Sequence, residues 1–116
     1  MSFDLDVVAI DRAASDDVVR AMVERCGSGQ HPEGELDERI VGFYESLRAR
    51  YPDFPPYPDD SPWMSMPLDV GIDHVSISMS FGQRSDPVIE LVVDLAARYG
   101  LTIYDPQFEE VARPQR

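Results

Sequence analysis

The chain predicts an α+β fold, a ferredoxin-like β-α-(α)-β-β-α-β sandwich in which helices cover one face of an antiparallel sheet. Three observations carry this expectation. Period-two and helix-period segments follow one another as strand, helix, helix, strand, strand, helix, strand. A glycine at Gly71 marks a hairpin between the two middle strands. A length of 116 residues suits one domain, residues 1–116, around one continuous core.

Phe3 to Ile10 (FDLDVVAI) opens with Phe3, Leu5 and Val7 alternating with Asp4 and Asp6, then turns apolar on both sides, as a strand inside a sheet does. Ser15 has the character of a helix N-cap, and Asp16 and Asp17 fall in the first turn, where carboxylates favour the positive end of the helix dipole. This helix should reach Cys26 and stop at Gly27. After a polar loop, Leu36 to Tyr51 places Leu36, Ile40, Phe43, Tyr44, Leu47 and Tyr51 at helical spacing.

Residues 52–67 are dense in proline, which removes backbone donors and fixes φ, so they form a loop and not a helix or central strand. Trp63 to Ile72 reads as an irregular strand with Met64, Met66, Leu68 and Val70 on one side. It should turn near Gly71 into His74-Val-Ser-Ile-Ser-Met-Ser-Phe81, whose strict alternation gives a core face of Val75, Ile77, Met79 and Phe81. Ser85-Asp86-Pro87 starts a helix that Gly100 ends, Leu101 to Tyr104 is the last strand, and the tail 107–116 adds an edge strand or frays.

In such a sheet the first and third strands are neighbours. That places Asp4 and Asp6, with Val8, beside His74, Ser76, Ser78 and Ser80 on a polar open face, with Thr102, Tyr104 and Ser65 flanking them. The face has three readings: a solvated surface, a recognition surface, or a reactive site. Chemistry is the least supported. His74 and the serines lie along a flat strand with i and i+2 side chains nearly 7 Å apart, no nucleophile elbow is present, and His31 and His74 have no metal-ligand spacing. Gly27-Ser28-Gly29 follows a helix, so it is not a phosphate-cradling loop. The expectation is a non-enzyme without cofactor or metal.

The formal charge of −12 repels nucleic-acid phosphates and anionic lipid surfaces within a Debye length of about 8–10 Å. Two readings follow: acidity that only maintains solubility, or a cationic protein partner. The lone Cys26 fits a reducing compartment, and no apolar run approaches the length of a membrane span, so a cytoplasmic protein is expected. For partner contact the strongest loop residues are Asp53, Phe54, Tyr57, Asp59, Asp60 and Trp63, aromatic anchors between carboxylates on a Pro-stiffened segment. On the sheet they are Asp4, Asp6, Ser76 and Ser78. Folding of the aromatics under the loop is the competing reading, strongest for Trp63.

The start Met1-Ser-Phe-Asp-Leu5, the segment Asp60-Ser-Pro-Trp63, the hairpin strand and the end Arg98-Tyr-Gly-Leu-Thr-Ile-Tyr-Asp-Pro-Gln107 resemble a group of small bacterial α/β proteins, frequent in actinobacteria. Its members run from an M-S-[FY]-D-L start to a G-L-x-x-[FY]-D-P-Q end. They look like immunity proteins that accompany polymorphic toxins. The resemblance implies an immunity or antitoxin-type inhibitor that covers a cationic toxin domain. The alternative is a housekeeping ferredoxin-like domain, dimeric through its open sheet, that binds a small ligand or carries simple catalysis near His74.

Overall fold

The computed structural model describes residues 2–11, 13–27, 34–52, 63, 68–80 and 86–114. In chain order the elements are β1 (Ser2–Val8), α1 (Asp16–Gly27), α2 (Glu38–Arg50), β2 (Asp69–Val70), β3 (His74–Ser80), α3 (Asp86–Tyr99), β4 (Thr102–Asp105) and β5 (Glu110–Ala112). The strands form one antiparallel sheet in the order β2-β3-β1-β4-β5, so β1 and β3 are central, as a ferredoxin-like sandwich requires. The tail contributes β5 as an added edge strand.

The central register pairs Phe3 with Met79, Leu5 with Ile77 and Val7 with Val75. Because side chains alternate along a strand, these apolar residues share one face. Across from them α2 supplies Ile40, Phe43 and Leu47, and α3 supplies Val88, Val92, Leu95 and Ala96, all buried in the same core. Each fully buried aliphatic side chain stabilises the fold by roughly 1.5–3 kcal/mol. Between the two helices, the Tyr99 ring occupies the space a Cβ on Gly42 would fill, and its hydroxyl lies 3.0 Å from Ser46 Oγ. That close approach explains a glycine inside a helix.

α2 and α3 meet the expectation of helices on one face, but α1 does not. Its apolar stripe, Val19, Met22 and Val23, packs with Val8, Tyr104, Ile10 and Val111 in a second, smaller cluster. Val8 lies two residues from Asp6, and Tyr104 is opposite Asp6, so this cluster sits on the Asp6 side of the sheet. The physical reason lies in β1: Val7 and Val8 are both apolar, which gives the sheet a second greasy patch that α1 covers. Thr102 and Tyr104, expected on the open face, are therefore buried beneath α1.

Local signals account for the helix ends. Ser15 Oγ accepts from Val18 N at 3.3 Å, and Asp37 caps α2 by accepting from Arg39 N at 2.9 Å. α2 thus begins after Asp37, and Leu36 stays outside the helix and exposed. At the end of α3, Gly100 adopts φ +69°, which lets Gly100 N reach Ala97 O and Leu101 N reach Ala96 O at 2.8 Å. Arg113 fastens the C-terminal segment to the start of α1, donating to Ala14 O at 2.8 Å and to Asp16 Oδ1 at 2.5 Å. Of the expected strand 63–72, the described residues show Asp69–Val70 as β2 and a bridge from Trp63 to Met79, while residues 64–67 lie outside the described residues.

Candidate functional site

The register that builds the core also builds the site. Asp4 pairs with Ser78, Asp6 with Ser76, and Asp69 on β2 with Ser76 from the other side. All five side chains fall on the face opposite the main core. They line a depression of about 370 Å³ together with Leu5, Ile77 and Pro106. α1 covers the rest of this face at Val8 and Tyr104, so the depression is what that helix leaves open.

Asp6 is its half-buried carboxylate. Its Oδ1 accepts a 2.8 Å hydrogen bond from Ser76 Oγ. Burial pushes the Asp6 carboxyl above its usual range; the Ser76 bond and the nearby His74 oppose this, and the like charges of Asp4 and Asp69 add to it. The result is a carboxylate held where its charge is costly. Ser76 itself sits in a strand paired on both sides, to Asp6 and to Asp69, so the backbone around it belongs to the ladder and not to a pocket of free amides.

Gln107 fixes the outer rim. Its Oε1 accepts from Asp4 N at 2.6 Å and its Nε2 donates to Asp4 O at 2.8 Å, as a neighbouring strand residue would. Asp105 Oδ1 holds that carboxamide by accepting from Gln107 Nε2 and from Gln107 N at 2.9 Å. Pro106 lies between them and lines the depression.

His74 is elsewhere. It is 1 % exposed, its ring fills the space beside Gly71, and it does not line the depression. Its Nδ1 lies 3.3 Å from Asp73 Oδ1, and Asp73 Oδ2 in turn accepts from Arg25 Nη2 at 2.6 Å. The chain of Arg25, Asp73 and His74 ties α1 to the turn between β2 and β3.

Of the residues expected to meet a partner, Asp4, Asp6, Ser76 and Ser78 come together in the depression. Trp63 does not join them, and its reading as an exposed anchor is corrected: it is 5 % exposed and part of the main core. Its Nε1 donates to Tyr51 O at 2.9 Å, and its ring meets Tyr51 edge-on at 6.2 Å. An indole whose N–H has a carbonyl partner is satisfied inside the fold. Asp53, Phe54, Tyr57, Asp59 and Asp60 lie outside the described residues, as does Ser65.

Asp69 and Gln107 were not singled out from the sequence. Counting the hairpin back from Gly71 places Asp69 opposite Ser76, and the Asp105-Pro-Gln107 step carries the turn that delivers the carboxamide. Among the described residues no group of three or more His, Cys, Asp or Glu is arranged to hold a metal ion, and no helix is long and apolar enough to cross a membrane. A scan of family models, a search of curated proteins and a search of solved structures each returned no match.

Proposed function

We propose that the chain is a cytoplasmic, non-enzymatic protein-binding domain of the immunity or antitoxin type. Its acidic sheet face receives basic side chains of a cationic toxin domain and so covers that domain's working surface. The observation that carries this reading is the convergence of Asp4, Asp6 and Asp69 on one depression, with burial pushing the Asp6 carboxyl up. A cation entering the depression would relieve the mutual repulsion of these carboxylates and favour the ionised form of Asp6. Ser76 and Ser78 are small enough to leave the floor accessible, and the overall charge of −12 would accelerate encounter with a basic partner.

Catalysis or ligand binding near His74 draws no support from the geometry, because that imidazole is buried against Gly71. The test is affinity purification from the native cell, followed by association kinetics with the co-eluting protein at rising ionic strength. The reading predicts a basic partner whose association slows as salt rises. A self-dimer as the sole product would favour the housekeeping alternative.

A further inference from the structure

Among the described residues β2 is an edge strand, and its two sides open onto different surfaces. On the sheet face, Asp69 lines the acidic depression. On the helix side, Val70 and Leu68 border a groove of about 480 Å³ whose other wall is α2, with Val41 and Tyr44, and Leu36 just before it. Leu36 is 49 % exposed and Val41 40 % exposed, although both are large aliphatic side chains. Asp69 lines the groove as well as the depression, and Glu45 stands at the groove's other rim.

The backbone of β2 is arranged to match. Gly71 N donates to His74 O at 2.8 Å, and the register pairs Val70 with Val75 and Asp69 with Ser76. In an antiparallel ladder hydrogen-bonded and non-hydrogen-bonded pairs alternate, so Gly71 and Asp69 face β3 while the N–H and C=O of Val70 point away from it. Among the described residues no strand pairs with that edge, and its outward N–H and C=O have the geometry a further strand needs.

We propose that β2 is a docking edge for an extended segment of a basic protein partner, in which lysine or arginine alternates with apolar residues. This deepens the sheet-face reading and rests on it. A strand laid along β2 turns successive side chains to opposite faces. One set enters the depression beside Asp69 and Asp6, and the other enters the groove between Val70 and Val41. Charge complementarity selects the first set, and the exposed aliphatic wall of α2 selects the second.

The test uses short synthetic peptides with the full chain, read by fluorescence anisotropy and by amide shifts in the isotope-labelled protein. The alternating lysine–leucine peptide should bind about tenfold more tightly than the lysine–serine peptide, since each leucine buries apolar area in the groove. Val41→Lys, or N-methylation of alternate peptide residues, should remove that gain, and the Val70 amide should shift on binding. Equal affinity for the two peptides, or a gain that survives N-methylation, would overturn the docking edge. If both peptides then still lose affinity to a variant with Asp4→Asn and Asp6→Asn, the sheet-face reading stands alone. If no lysine peptide binds, both readings fall.

Discussion

The carboxamide of Gln107 is bonded to both the N–H and the C=O of Asp4, at 2.6 and 2.8 Å. β1 pairs with β4 only from Asp6 to Val8, so this one side chain continues the ladder beyond the end of β4. A carboxamide can do so because it carries the same donor and acceptor as a peptide group. The relationship ties the turn after β4 to the rim of the acidic depression.

Replacing Gln107 by Ala should therefore lower stability by about 1–2 kcal/mol, two hydrogen bonds in a partly solvated setting. Gln107→Glu should be at least as damaging, since a carboxylate cannot donate to Asp4 O and adds negative charge beside Asp4 and Asp105. Urea denaturation of the three proteins, with amide exchange at Asp4, checks both statements. An unchanged exchange rate at Asp4 in Gln107→Ala would contradict them.

Asp6 and Asp37 should shape the pH dependence in opposite directions. Burial raises the folded-state pKa of Asp6, so between the unfolded value of 3.8 and that higher value the folded protein binds more protons than the unfolded chain. Its contribution falls as pH rises through this window and is unfavourable at neutral pH. Asp6→Asn, which can keep accepting from Ser76 Oγ, should raise Tm near pH 7 and flatten the pH profile above 3.8. A lower Tm in Asp6→Asn at neutral pH would show that the charge is stabilising there.

Hydrogen bonds from Arg39 hold the Asp37 carboxyl below its usual range, against a smaller effect of burial. Its contribution is present above the unfolded value of 3.8 and is lost as pH falls through the lower, folded value. Asp37 also caps α2, and its N–H donates to Ile72 O at 2.8 Å, next to the hairpin turn. Asp37→Ala should cost about 1 kcal/mol at neutral pH, and the deficit should vanish in strong acid. A deficit independent of pH would remove the carboxylate from the explanation.

Gly71→Ala should destabilise the fold by about 1–3 kcal/mol, because the added methyl group would enter the volume of a buried ring. That ring is His74, which is packed too tightly to swing away. The companion change Gly34→Ala meets no atom closer than 3.9 Å, although its φ of +153° disfavours a side chain. Thermal melts should place Gly71→Ala clearly below the parent, and an unchanged Tm would contradict the packing.

Much of this architecture is written in local patterns. The alternation of His74 to Ser80 shows which residues enter the core and which share the face of Asp4 and Asp6, because one register step would invert both sets. Asp86-Pro87 and Gly100 bracket α3 for equally local reasons. The side of the sheet that α1 covers is not local. An amphipathic stripe says that a helix must pack, and only the doubled valine at Val7 and Val8 hints that β1 has apolar surface on both faces. For Trp63 the sequence leaves both readings open for a related reason: an aromatic between prolines looks the same inside or outside, and the Tyr51 carbonyl that receives its N–H comes from the end of another element. Asp69 was overlooked because Met64, Met66, Leu68 and Val70 supplied the apparent pattern of that strand, while its polar neighbour gained meaning only from the hairpin register.

The central claim is that the depression lined by Asp4, Asp6 and Asp69 receives a basic protein. It is tested most directly by parallel affinity capture from the native cell with the parent chain and with a variant carrying Asp4→Asn, Asp6→Asn and Asp69→Asn, both shown to be folded by circular dichroism. The account predicts that the parent retains a basic protein that dissociates at raised salt, and that the variant loses it by at least about tenfold. Equal retention of the same partner by both proteins would contradict the claim.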